Sequence, residues 1–201
     1  ENFKLNSVDL KIHDAQLLQQ GAWKPIKFDV TDKHILLNLS QKLRRGDRGQ
    51  VKIVYSCYKP KAGLYFIKPD AQYPDRPTQV WTQGQDDDAR FWFPCFDEPR
   101  IKCTYELKAE VPSGFILTSN GILLSESRNG KNWVYHWKSQ AAIPSYLVTL
   151  TAGRFSEIKD DWHGKPVTYL VEKGREPEAK VSFGKTPKMM ELFSKVLGID
   201  Y

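Results

Sequence analysis

The chain has 201 residues, 40% hydrophobic and 27% charged, which allows one sizeable domain, or one domain plus a fragment, and excludes a large multidomain assembly. Thirty basic against 24 acidic residues give a net charge of +6, spread as +3 over residues 1–50, 0 over 51–100, +2 over 101–150 and +1 over 151–201. Its densest basic cluster, Lys42, Arg44, Arg45 and Arg48, is interrupted by Gly46, Asp47 and Gly49 and reads as a solvated turn, so nucleic acid is not an expected partner. No stretch nears the roughly 18 consecutive apolar residues of a membrane-spanning helix, and no membrane span is expected. Glu1 to Ile12 lacks the basic start and apolar run of a signal peptide, but a trimmed chain would look the same. The compartment is left open, with the cytoplasm preferred.

In chain order, the first two thirds alternate apolar and polar residues with the period of strands. Ile26, Phe28 and Val30 show it, as do Ile35, Leu37 and Leu39, then Val51, Ile53, Tyr55 and Cys57. The run Ile101, Cys103, Tyr105, Leu107, Ala109, Val111 alternates with Lys102, Thr104, Glu106, Lys108 and Glu110, which predicts one strand with a wet face. Asn129-Gly130 separates Ile122–Ser127 from the Trp133, Tyr135, Trp137 alternation and predicts a tight hairpin turn. Val167–Val171 reads as the last strand. Glu178, Ala179 and Lys180 then suit a short helix after Glu176-Pro177. A second helix follows, with Thr186 as N-cap, Pro187 in the first turn, Met190, Phe193 and Leu197 on one face, and Gly198 as the stop. That apolar stripe needs a partner, so the helix either packs back on the sheet or opens a further domain. Together these elements predict a mostly β, antiparallel, sandwich-like fold with a short C-terminal helical segment.

Three cysteines, Cys57, Cys95 and Cys103, cannot all pair, and spacings of 38 and 8 residues lack the close pairs of a zinc site. They read as reduced, half-buried thiols, with a Cys95–Cys103 bridge left open for an oxidising compartment.

The stretch Trp81 to Pro99 concentrates chemistry, with five acids and two amides among aromatic residues. In Gln83-Gly84-Gln85 the glycine permits close backbone approach, and each amide offers donors and acceptors to a polar ligand or else ties the loop to itself. Asp86, Asp87 and Asp88 read as a solvated turn or a cap, because adjacent carboxylates point apart whereas a calcium cage needs ligands spaced around a loop.

Thr82-Gln83-Gly84-Gln85, Asp88-Ala89-Arg90, and Phe93-Pro94-Cys95-Phe96-Asp97-Glu98-Pro99 with Lys102 resemble the signature of the aminopeptidase N (gluzincin) family of zinc metallopeptidases. Leu43-Arg44-Arg45-Gly46-Asp47 resembles the family's turn before a strand, Ser119-Asn120-Gly121 its Ser-Asn-Gly motif, and Gly198-Ile199-Asp200-Tyr201 its junction with the catalytic domain. The resemblance implies a saddle-shaped amino-terminal β domain over residues 1–184, and over 185–201 the first helix and start of a truncated catalytic domain. It implies a protein that removes amino-terminal residues from peptides, with zinc in the full-length enzyme, peptide substrates held through the free α-amine, and the catalytic domain of the same chain as partner. This fragment is expected to be inactive alone and to bind no metal, since it has no H-E-x-x-H and its four histidines, His13, His34, His136 and His163, are out of helical reach of one another.

By the same resemblance, Gln83 lines the first specificity pocket and Gln85 helps hold the substrate's α-amine, with Gly84 between them. Many relatives carry Glu at the Gln85 position; a neutral amide accepts a hydrogen bond from an ammonium but supplies no opposite charge. Arg90, Pro94, Asp97 and Glu98 are expected to be structural, Arg90 pairing with Asp97 or Asp88, and no residue here is assigned catalysis. Two other readings stand beside this one. The domain could be a non-catalytic scaffold, or Trp133, Tyr135 and Trp137 could form a sugar-stacking platform.

Overall fold

The computed structural model describes residues 2–39, 44 and 46–201. Strands β1 (Asn2–Asn6), β2 (Lys11–Gln19), β3 (Ala22–Pro25), β4 (Phe28–Val30), β5 (His34–Asn38) and β6 (Val51–Ser56) form two three-stranded sheets, ordered β1-β5-β4 and β3-β2-β6. The alternation expected around Ile35 is realised: Ile35 and Leu37 are fully buried, with Leu39, Leu5 and Ala15 beside them. Each such aliphatic side chain taken from water contributes about 1.5–3 kcal/mol, so this cluster anchors the first half. The turn predicted at Leu43 to Asp47 lies partly outside the described residues; Arg44 donates its N–H to Asp47 Oδ2 at 2.7 Å.

Strands β7 (Gly63–Ile67), β8 (Gln79–Gln83), β9 (Lys102–Cys103), β10 (Glu106–Pro112), β11 (Ile116–Ser119), β12 (Ile122–Asn129), β13 (Asn132–Lys138), β14 (Ile143–Pro144) and β15 (Leu150–Gly153) build the centre. Their sheets are ordered β11-β15-β8-β7, β10-β13-β12 and β14-β9, all antiparallel. A second core of Val111, Leu117, Tyr135 and Ala152 lies between the first two. Trp133 and Trp137 pack against it, with Trp137 Nε1 donating to the Leu117 carbonyl at 3.2 Å and the Tyr135 hydroxyl to that of Phe115 at 3.2 Å. The sugar-stacking reading therefore fails: alternation on a hairpin brought these rings to the core.

Two local expectations are corrected here. The run from Ile101 to Val111 is two strands, β9 and β10, broken at Thr104-Tyr105, with β9 pairing β14 and β10 pairing β13. At the hairpin, Asn129 pairs with Asn132, so the two turn residues are Gly130 and Lys131, and the positive φ of 58° falls on Gly130. Glycine at the first turn position is what the II′ hairpin geometry asks for.

The chain ends in the hairpin β16 (Phe155–Trp162) and β17 (Lys165–Glu172), then α1 (Glu176–Phe183) and α2 (Thr186–Leu197). Gly198 closes α2 in the left-handed conformation at φ 68°, as expected. Thr186 is not its N-cap. Lys185 holds that position, and the Thr186 hydroxyl donates back to the Phe183 carbonyl at 2.6 Å. The helix docks on β16 through Glu191, whose Oε2 accepts from the buried Trp162 at 3.3 Å. Of the predicted stripe only Met190 is half-buried; Phe193 and Leu197 are 59% and 69% exposed.

Candidate functional site

The motif segment is held in place by one buried carboxylate. Asp97, 4% exposed, accepts at Oδ2 from the backbone N–H and Nε of Arg90, both at 3.0 Å, and at Oδ1 from the Ser145 hydroxyl at 2.6 Å. Its own N–H donates to Asn6 Oδ1 at 3.1 Å, and its carbonyl accepts from Arg90 Nη2 at 3.2 Å. A buried charge with this many donors is compensated, whereas an isolated one would not be tolerated. Arg90 also pairs with Asp87 at 2.8 Å. The expected Arg90–Asp97 pair is thus present, and the other acid is Asp87 rather than Asp88.

Proline then sets the path. The residue before a proline is pushed out of helical conformation, and the short helical turn Ala89–Phe91 ends just ahead of Phe93-Pro94. Beyond Pro94 the chain runs extended, and Cys95 exchanges two backbone hydrogen bonds with Asn6, at 2.8 and 3.1 Å. Phe96 meets Phe3 edge to face at 5.5 Å, and Phe93 meets Tyr105 at 6.3 Å, so the motif's rings fasten it to neighbouring strands. Glu98 is engaged on the surface by Arg100 at 2.7 Å. Cys95 is buried, Cys57 half-buried and Cys103 exposed, and all three are free thiols. Burial pushes the Cys95 and Cys57 thiols up, away from the reactive thiolate.

On this frame stands Gln83-Gly84-Gln85, at the end of β8. The Thr82 hydroxyl ties that end to β15, accepting from the Leu150 N–H at 2.9 Å. Gly84 is buried under the backbone of Tyr146, where an added Cβ would lie 2.7 Å from the Tyr146 carbonyl oxygen, so no larger residue fits. Its carbonyl accepts from the Asp88 N–H at 2.9 Å, which closes the turn, and the Gln85–Asp86 peptide is cis. Gln83 and Gln85 are both exposed, and neither amide has a hydrogen-bond partner among the described residues. The alternative in which the amides tie the loop to itself is therefore not what the structure contains. Two free amides are displayed on either side of a clamped glycine.

The aspartates behave as a turn. Asp86 and Asp87 are exposed, while Asp88 is half-buried and its carboxyl is pushed up by burial first and by Asp87 and Asp97 next. Among the described residues no three His, Cys, Asp or Glu side chains form a group able to hold a metal ion. His13 bonds Ser56, His136 pairs with Glu106, and His163 with Glu191. Sequence reasoning missed Asn6, Ser145 and the Tyr146 backbone, which complete the frame from 91 and 48 residues away in the first two cases.

The family model for the peptidase M1 N-terminal domain matches residues 1–147. The chain belongs to this family. The M1 domain is 25% identical over 207 residues to aminopeptidase M1 of Arabidopsis thaliana, covering 98% of this chain and 23% of the relative. It is 27% identical over 169 residues to transcription initiation factor TFIID subunit 2 of Danio rerio, covering 81% and 14%. Its fold matches an M1 zinc metallopeptidase variant from Deinococcus radiodurans with a TM-score of 0.76 at 17% identity, over 96% of this chain and 44% of that one. The chain thus spans under a quarter of the length of these two relatives.

Proposed function

We propose that this M1 domain is the amino-terminal wall of a zinc-dependent aminopeptidase, supplying peptide-binding groups to a catalytic centre carried by the rest of the protein. The observation that carries this reading is the pair of exposed, unpartnered amides Gln83 and Gln85 flanking buried Gly84, on a loop fixed by Asp97 and Arg90. Gln83 faces the first side chain of the peptide, and the Gln85 carbonyl accepts from the substrate's α-ammonium. An amide contributes no full charge, so the Coulombic part of amine recognition falls to acids outside this chain. The described residues offer no ligand set for the zinc, which belongs to the remainder of the protein. We also assign residues 1–184 to the β domain and 185–201 to the first helix and opening of the catalytic domain; the exposed Leu192, Phe193, Val196 and Leu197 give α2 an apolar face for that domain to cover.

The test is the full-length protein with Gln85→Ala. Its affinity for peptides with a free amine is expected to fall about ten-fold, as for loss of one charge-assisted hydrogen bond, with much less change for desamino analogues. An equal effect on both removes the amine-binding role. The isolated chain is expected to take up no stoichiometric zinc and to cleave no aminoacyl amide; chelator-sensitive turnover by the pure fragment overturns the reading.

A second reading is favoured by the similarity to a transcription factor subunit, in which the domain serves as an assembly scaffold. A full-length protein that retains neither zinc nor peptidase activity, yet co-purifies stoichiometrically with other proteins, decides for it.

A further inference from the structure

A cavity of about 160 Å³ lies beside the motif, lined by its Trp92 and Phe93 and by residues of β6, β10, β11, β13 and the loops next to them. Five aromatic residues line it: Tyr55, Trp92, Phe93, Tyr105 and Trp137, together with Glu106; no lysine, arginine or histidine does. Among these rings two pairs pack edge to face. Trp92 and Phe93 meet at 65° with centroids 4.4 Å apart, and Phe93 and Tyr105 at 88° with centroids 6.3 Å apart.

Aromatic faces carry negative potential and attract cations, most strongly where water is displaced. Burial pushes the phenols of Tyr55 and Tyr105 up to about 12, so both rings stay neutral hydrogen-bonding groups near neutral pH. The remaining polar lining is already engaged. Glu106 is bonded to His136 at 2.6 Å and Lys138 at 3.3 Å, the Ser119 hydroxyl donates to the Thr149 carbonyl, and the Asn120 amide is held by Leu147 and Thr149. A quaternary ammonium carries its charge with no N–H donor to satisfy, so aromatic faces alone can hold it.

We propose that this aromatic cavity is a binding site for a small quaternary ammonium compound of the choline type, its trimethylammonium group held against the aromatic lining. Neither Gln83 nor Gln85 lines it.

The experiment is calorimetric titration of the full-length protein with choline and with its uncharged carbon isostere, dimethylbutanol, which has the same shape without the charge. Choline is expected to bind saturably and at least about ten-fold more tightly than the isostere, the difference a desolvated cation–π site gives. Phe93→Leu, which keeps apolar volume and removes a ring, is expected to weaken choline about three-fold or more and leave the isostere nearly unchanged. Equal binding of the two probes, or no saturable choline binding, overturns the proposal. Because that comparison uses the unaltered protein, it decides the matter even where Phe93→Leu fails to fold.

Discussion

Arg90 grips Asp97 from three directions at once: its backbone N–H and its Nε both reach Asp97 Oδ2 at 3.0 Å, and its Nη2 reaches the Asp97 carbonyl at 3.2 Å. A surface pair would add little, but this carboxylate is buried and shares its other oxygen with Ser145.

Asp97→Ala is therefore expected to destabilise the domain by about 3 kcal/mol or more, because it strands the donors of Arg90 and Ser145 in the interior. Asp87→Ala, which removes the exposed partner of the same arginine, is expected to cost less than about 1 kcal/mol. Urea unfolding of both variants measures the contrast, and comparable losses would contradict the assignment of Asp97 as the centre of the frame.

Gly84→Ala tests the clamp on the loop. The new methyl lands against the Tyr146 backbone, which belongs to a short helical turn and has little room to retreat. A loss of about 1–3 kcal/mol is expected, as for overpacking, together with weaker peptide binding by the full-length protein. Binding unchanged at full occupancy would separate the glycine from the site.

Asp88 gives a pH signature. Its folded carboxyl holds its proton above the usual range, chiefly through burial, so the folded state binds more protons than the unfolded one and stability falls as pH rises through that window. Asp88→Asn keeps the backbone N–H that closes the turn and removes the titration. It is expected to melt higher than the parent at about pH 7, the gap closing toward about pH 3. A gap that widens in acid would give the opposite sign.

Thr186→Ala distinguishes the observed start of α2 from the predicted one. A true N-cap loss costs about 1 kcal/mol, whereas an exposed hydroxyl that bonds back to Phe183 should cost no more than about 0.5 kcal/mol. Thermal melting resolves the two.

Much of the fold was legible because its signals are local. Ile35 and Leu37 alternate as a half-buried strand must, Gly130 and Gly198 sit where positive φ is required, and Pro187 stands at the first turn of α2. The errors are equally physical. Periodicity could not see that Thr104-Tyr105 leaves one sheet for another, since the alternation runs unbroken through the switch. Thr186 has the right chemistry for a cap, but the chain enters the helix one residue earlier. In the candidate site the composition of residues 81–99 marked the segment, and the family signature singled out Gln83 and Gln85. The supports could not be read: Asn6 and Ser145 are unremarkable in sequence and matter only because folding carries them to Asp97.

That remoteness bears on how the site comes into being. Asn6 and Asp97 lie 91 residues apart along the chain, and Ser145 is 48 beyond Asp97. Closing such spans costs chain entropy that is recovered only when the distant partners meet. Neither β8 nor the glycine turn can thus secure the loop alone; it acquires its fixed shape when the first strand and the Ser145 segment have both arrived. Amide exchange at Asp97 should accordingly track the opening of β1, and a change in the first six residues would reach the peptide-binding loop without touching it.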